Sequence, residues 1–262
     1  MKLLDFLRIS KPVTMILGAQ FTPSLNLIEI DITFKCNLHC FNCDRSCTQA
    51  PSNEHMEIGI IQKFIKDSIK LKKNWKRIRI LGGEPTIHPE FENIISLLLN
   101  YKKIHLPEVI IEVTSNGYGT KVIDKLNALP KEVVVNNTRK TGKFQAKFEP
   151  FNLAPIDNKK HKITDFKNAC WITSYCGIGL NKNGYYLCGV GGGIDRVVKF
   201  NLALETIPSK VSEFYNQANN LCKLCGHFNF RKYTPIYDRT PVDGEPKSQT
   251  WILLYEKYIK DN

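Results

Sequence analysis

Three thiols fall within the run Cys36-Asn37-Leu38-His39-Cys40-Phe41-Asn42-Cys43, and five more gather toward the other end of the chain as Cys170, Cys176, Cys188, Cys222 and Cys225. Spacings of three and two residues let one loop wrap a single iron-sulfur cubane and bind three of its irons. The fourth iron then has no protein ligand, and an open coordination position is what chemistry at a metal requires. Adding Cys47 gives the competing arrangement, four thiolates closing a tetrahedral zinc site. At the far end five thiols are offered where one cluster needs four. A zinc ribbon that recruits His227 is the competing reading there, since the pair Cys222-Lys-Leu-Cys225 alone does not separate the metals.

Nine cysteines grouped in this way are metal ligands or catalytic groups more readily than disulfides if the chain works in a reducing compartment. A cytoplasmic location is the expectation. Asp5 and Pro12 interrupt a secretory-signal pattern, and no apolar run approaches the ~18 to 20 residues of a membrane span. The chain has 262 residues, 42% of them hydrophobic, enough for a sizeable core and against disorder. The formal charge of +12 invites a nucleic-acid reading. It is carried by scattered Lys with only eight Arg, whereas bidentate phosphate recognition favours Arg, so a solvated Lys-rich surface is the expectation and a nucleic-acid partner is not.

Elements must hold these thiols in place. Residues 27 to 34 alternate, with Ile28, Ile30, Ile32 and Phe34 on one face and Glu29, Asp31 and Thr33 on the other, which predicts a strand leading into the first cysteine loop. Ile61, Phe64, Ile65 and Ile69 make one stripe of a helix within 56 to 72. Strands at 77–81, 109–114 and 132–135 then alternate with helices near 91–99 and 121–129. That rhythm predicts parallel βαβ units with the active site at the C-terminal strand ends. It fails past Asn136, leaving a strand at 144–148, a boundary near residue 150, a cysteine-bearing segment to 228, and a tail from 229 to 262 whose last helix Ser248 would cap.

The C-x3-C-x2-C loop after the first strand resembles the signature of radical S-adenosylmethionine (SAM) enzymes. Two further segments match that family at successive strand ends. Gly82-Gly83-Glu84-Pro85 is similar to its GGEP motif, and Thr114-Ser115-Asn116-Gly117 to the segment that touches the SAM ribose. The resemblance implies a [4Fe-4S] cluster on Cys36, Cys40 and Cys43 whose open iron binds the amino and carboxylate groups of SAM. It also implies SAM contacts from Gly82, Gly83, Glu84, Pro85, Ser115 and Asn116. The aromatic residue usual before the last cysteine is Asn42 here, with Phe41 one place earlier as the residue for the adenine. The fold implied is a partial parallel (β/α) barrel in 1–150, followed by a small iron-sulfur domain in 151–228.

The segment from Cys176 through Gly184 to Cys188, with the distal C-x2-C, resembles the SPASM or "twitch" extension that binds one auxiliary [4Fe-4S] cluster. Cys170, Cys188, Cys222 and Cys225 are the expected ligands, with Cys176 as the alternate for Cys170. Gly189, Gly191, Gly192 and Gly193 read as a turn, or as a nest that brings Asp195 or Arg196 to a substrate. The charged strand residues Glu29, Asp31, Arg77, Arg79 and Glu112 either pair across the lumen or reach solvent at its floor. Asp31, Glu112, Asp195 and His227 are the candidate general bases. The resemblance implies cleavage of SAM to a 5′-deoxyadenosyl radical, hydrogen abstraction from a small polar substrate such as a sugar or cyclitol, and net oxidation. An electron donor such as flavodoxin or ferredoxin is also implied. Peptide modification is the alternative, and a non-catalytic zinc- or cluster-binding protein that binds nucleic acid is the reading from another class.

Overall fold

The computed structural model describes residues 3–168, 170–229, 239–241 and 243–262. Its helices are α1 (Leu3–Arg8), α2 (Lys11–Leu17), α3 (Ile58–Lys70), α4 (Phe91–His105), α5 (Thr120–Asn127), α6 (Trp171–Tyr175), α7 (Gly189–Val198), α8 (Tyr215–Leu221) and α9 (Gln249–Asp261). Its strands are β1 (Leu27–Thr33), β2 (His39–Cys40), β3 (Arg77–Gly82), β4 (Ile110–Ser115), β5 (Val133–Asn137), β6 (Phe144–Gln145), β7 (Ile178–Asn181) and β8 (Gly184–Tyr186). Six strands form one α/β sheet in the order β5-β4-β3-β1-β7-β8, parallel except where β8 runs antiparallel to β7.

Alternation along the strands sorts the two faces. Ile28, Ile30, Ile32, Ile78, Ile80, Ile111 and Val113 are fully buried and share one core with Ile61 and Phe64 of α3 and Phe91, Ile94 and Leu98 of α4. The opposite face carries the charges, and strand register decides who meets whom. Glu29 lies opposite Arg79, and Arg79 opposite Glu112. Arg79 bonds both carboxylates, at 2.8 and 2.9 Å. Glu29, Asp31 and Glu112 are all buried: Glu29 and Glu112 pair across neighbouring strands with Arg79, and Asp31 pairs with Arg45 of the cysteine loop.

Four expectations need correction. The segment past residue 150 does not stand apart from the sheet: β7 pairs with β1 and extends it. The strand expected at 144–148 shrinks to β6, which pairs with β2 inside the cysteine loop. Ser248 occupies the N-cap of α9, but its hydroxyl accepts from the Ala154 N–H (3.0 Å) and makes no cap bond. The glycine run at 189–193 is neither turn nor nest but the start of α7, every residue of which is buried. Of the expected tail, residues 230–238 and 242 lie outside the described residues.

Candidate active site

The loop after β1 brings Cys36, Cys40 and Cys43 to the wall of a cleft of about 990 Å³, together with Gly82, Gly83, Ser115 and Asn116 from the ends of β3 and β4. Backbone bonds fix the loop: His39 N–H donates to Lys143 O at 2.7 Å and Phe41 N–H to Gln145 O at 2.8 Å. Asn42 has a positive φ of 47° and is buried, its Oδ1 accepting from Asn152 N–H at 3.2 Å. Left-handed backbone suits Asn far better than an aromatic residue, which accounts for the departure from the family pattern. Phe41 packs edge-on against Phe144 (4.5 Å) and does not line the cleft.

Burial pushes the Cys36 and Cys40 thiols up to about 12. Cys43 goes the other way, because the Cys47 thiol donates to it and the N–H groups of Cys47 and Arg45 point at the same sulfur. Three sulfur donors on one wall, with a roomy cleft in front and no fourth donor required, fit a cubane with one open iron.

The paired glycines, which line the cleft, also let two backbone segments meet. A Cβ on Gly82 would sit 2.2 Å from Thr33 O, and one on Gly83 2.2 Å from Lys35 O. Gly83 N–H donates to Thr33 O and Glu84 N–H to Lys35 O, so the missing side chains let the end of β3 lie directly on the start of the cysteine loop. Glu84 is fully buried and does not line the cleft. Its carboxylate accepts from Ser115 Oγ (2.9 Å), Asn116 N–H (2.9 Å), and the N–H (3.2 Å) and hydroxyl (2.8 Å) of Thr86. It therefore clamps the loop after β4 and is not free to receive an ammonium. Burial raises its pKa against these donors. Pro85 opens the short 3-10 turn Pro85–Ile87 behind the clamp. Asn116, held in this way, donates to Asn37 Oδ1 (2.8 Å) and approaches Cys36 Sγ (3.8 Å).

Sequence reasoning missed Arg45, which lies two residues past Cys43 and lines the cleft. Its guanidinium donates to both Asp31 oxygens (3.0 Å each) and to Glu29 (2.9 Å). Burial pushes Asp31 up to about 6 against the pull of Arg45. Burial acts on Glu29 in the same direction, but Arg45 and Arg79 together carry it below the usual carboxylate range.

The four candidate bases separate. Asp31 and Glu112 are committed to Arg45 and Arg79 and do not line the cleft. Asp195 is buried in α7, accepting from Tyr186 OH and Leu202 N–H. His227 alone of the four lines the cleft, its Nδ1 3.3 Å from Glu149 and its Nε2 3.9 Å from Asp44. Arg196 does not reach the cleft either. It donates to the carbonyls of Ala50, Arg45 and Ser46, tying the cysteine loop to α7. The glycines of α7 serve the same contact, since a Cβ on Gly193 would meet Asp44 O at 3.1 Å and one on Gly189 the Arg45 guanidinium at 2.6 Å.

Cys170, Cys188, Cys222 and Cys225 line one small apolar cavity with Leu187, Leu221 and Phe228. Cys188 is the N-cap of α7, its sulfur accepting from Gly191 N–H at 3.3 Å. Burial pushes Cys188 up to about 12, and raises Cys222 and Cys225 further as the neighbouring sulfurs add to the effect. Cys176, the alternate, is elsewhere: it lines the large cleft and lies 4.0 Å from Arg79.

A model of the Radical SAM superfamily matches residues 30–137, the segment that runs from β1 to β5. This stretch is similar to the domain of that superfamily. The chain is 28% identical to a GTP 3′,8-cyclase of Aliarcobacter butzleri over 37% of its own length and 29% of that protein's. It is 33% identical to a probable GTP 3′,8-cyclase of Methanococcus aeolicus over 34% of its length and 29% of that protein's. It thus spans less than a third of the curated relatives it matches. A crystal structure of BtrN in complex with AdoMet and 2-DOIA superposes with a TM-score of 0.44 at 12% identity, covering 86% of this chain and 96% of that one.

Proposed function

We propose that the protein is a radical SAM enzyme that cleaves S-adenosylmethionine to a 5′-deoxyadenosyl radical and abstracts hydrogen from a small polar substrate, in a net oxidation. The observation that carries this reading is the meeting of Cys36, Cys40 and Cys43 with Gly82, Gly83, Ser115 and Asn116 on one cleft wall. A [4Fe-4S] cluster held by those thiols would supply the electron that cleaves the sulfonium of SAM. The chain's own residues do the rest. Glu84 holds Ser115 and Asn116 in place, Gly82 and Gly83 keep the end of β3 against the cysteine loop, and the paired Glu29, Arg79 and Arg45 give the cleft a polar floor without leaving a free charge.

Oxidation rather than rearrangement follows if Cys170, Cys188, Cys222 and Cys225 hold a second [4Fe-4S] cluster that accepts an electron from the substrate radical. Four thiols around one apolar cavity fit that cluster. In this reading the core is a partial barrel, and residues 151–228 form a twitch-like unit that shares its sheet. The GTP 3′,8-cyclase matches cover 37% and 34% of the chain and leave the substrate open. Nine reduced cysteines suit a cytoplasmic enzyme served by a flavodoxin or ferredoxin. Among the described residues no helix is long and apolar enough to cross a membrane.

Anaerobic iron and sulfide analysis with Mössbauer spectra tests this, on the wild type and on the Cys36/Cys40/Cys43→Ala variant. About eight irons per chain in the wild type and about four in the variant are expected, with SAM perturbing the spectrum and being cleaved to 5′-deoxyadenosine only in the wild type. Zinc with no iron after anaerobic reconstitution, and salt-sensitive nucleic-acid binding without SAM turnover, would favour the non-catalytic reading.

A further inference from the structure

The C-terminal tail has no part in the chemistry above, yet one of its side chains reaches the cysteine loop. Glu245 Oε1 accepts from the Asn42 N–H (2.5 Å), between Cys40 and Cys43, from Gln49 Nε2 (2.5 Å) and from Asn152 Nδ2 (2.6 Å). Asn42, Gln49 and Asn152 are all buried. Gln49 Nε2 also donates to the Cys40 carbonyl at 2.9 Å, so one amide ties Glu245 to the second cysteine. Asn152 adds a return link, its N–H donating to Asn42 Oδ1 and its own Oδ1 accepting from the Tyr255 hydroxyl at 2.8 Å. That hydroxyl lies 2.9 Å from Ser46 Oγ, past Cys43. Asn42, Ser46 and Gln49 of the loop thus converge on Glu245, Asn152 and Tyr255. Three donors on one oxygen ask for more than the two lone pairs of a neutral carbonyl and suit an ionised carboxylate. Lys247, 3.1 Å from the other oxygen, balances the charge.

We propose that Glu245 is a positioning residue for the three-cysteine site, holding the backbone between Cys40 and Cys43 in the shape a cluster needs before any metal arrives. This rests on the radical SAM reading. Asn42 keeps a left-handed φ of 47°, which persists in a residue other than Gly only where the surroundings hold it. Without Glu245 the Asn42 N–H and two side-chain amides lose a buried acceptor. The loop then regains those bonds by swinging out to water, which carries Cys40 and Cys43 out of register with Cys36. The tail touches the second thiol group through a different residue: Trp251 Nε1 donates to the Leu224 carbonyl, next to Cys225, at 2.8 Å. A change at Glu245 therefore separates the two groups.

Iron release to a chelator from the anaerobically loaded full chain tests it, on the wild type, Glu245→Ala, Glu245→Gln and Tyr255→Phe. Glu245→Ala should release the iron of this loop about tenfold faster than the wild type, a factor equal to about 1.4 kcal/mol and within the range of one hydrogen bond to a charged group. Iron bound in the Cys36/Cys40/Cys43→Ala background should leave at the same rate with or without Glu245→Ala. Glu245→Gln, which keeps the acceptor oxygen without its charge, should fall between wild type and Glu245→Ala. Tyr255→Phe keeps the ring and loses the hydroxyl, so it too should speed release, and it decides the matter if Glu245→Ala does not fold. Wild-type rates in every variant that loads, a Glu245→Gln no slower than Glu245→Ala, or equal acceleration at the C-terminal thiols each overturn the proposal and leave the radical SAM reading intact. A wild type that loads no iron on this loop overturns both.

Discussion

The two cysteine groups are built from the same residue and do opposite things with their surroundings. Cys36, Cys40 and Cys43 sit on a loop against a large cleft with Asn116, Arg45 and Lys140 on its walls, and Cys36 and Cys43 are partly exposed. Cys170, Cys188, Cys222 and Cys225 are all buried around a small cavity lined by aliphatic and aromatic side chains. The first group leaves space for a small molecule beside its thiols; the second packs four thiols around a small apolar cavity. Open sites belong to metals that react, closed ones to metals that hold structure or electrons. The largest effect expected is therefore loss of a whole centre. Cys188→Ala should remove about four irons per chain, whereas Cys176→Ala should remove none. Equal iron loss in both variants would erase the distinction between the four thiols and the fifth.

Much of the open site was legible in the sequence, and the reason is local. Its three thiols lie on one loop, and the glycine and Ser-Asn segments follow strands whose alternation marks them. The chain order of β1, β3, β4 and β5 came from the same pattern. What stayed hidden depends on contacts between distant residues. The clamp formed by Glu84 on Ser115 and Asn116 spans some thirty residues of sequence. Arg45 reads as one more charge in a loop until the register of β1 brings Glu29 and Asp31 to it. The glycines of α7 read as a turn by composition, because Gly is a poor helix former. They form a helix because close contact with Asp44 and Arg45 leaves no room for side chains, and tertiary packing overrides propensity.

Glu84 offers the next largest effect and a way to sharpen the contrast between the sites. Glu84→Ala leaves the Ser115 and Thr86 hydroxyls and two backbone N–H groups buried without their acceptor, a cost of about 3 to 5 kcal/mol. Denaturant unfolding should show that loss. Because the freed loop borders the open cleft, SAM affinity should fall as well, while the iron that Cys170, Cys188, Cys222 and Cys225 are proposed to hold should stay constant. A stability loss without any loss of SAM affinity would make Glu84 a fold residue alone.

The smallest effect lies between the two groups, where Arg45 joins Asp31 to the start of α7 beside Cys188. Burial pushes Asp31 up to about 6, above the usual aspartate range. The folded state therefore keeps a proton at a pH where the unfolded chain has lost it, so this group's stabilisation is full below about 4 and declines as pH rises through 6. Between pH 5 and pH 7 the decline comes to about 1 kcal/mol. Urea unfolding at those two pH values should show the wild type losing that much relative to Asp31→Asn, which carries no such proton. A difference independent of pH would mean that Arg45 outweighs burial and keeps Asp31 ionised throughout. The cysteine loop would then be fixed to the sheet by a permanent ion pair rather than one that loosens under mild acid.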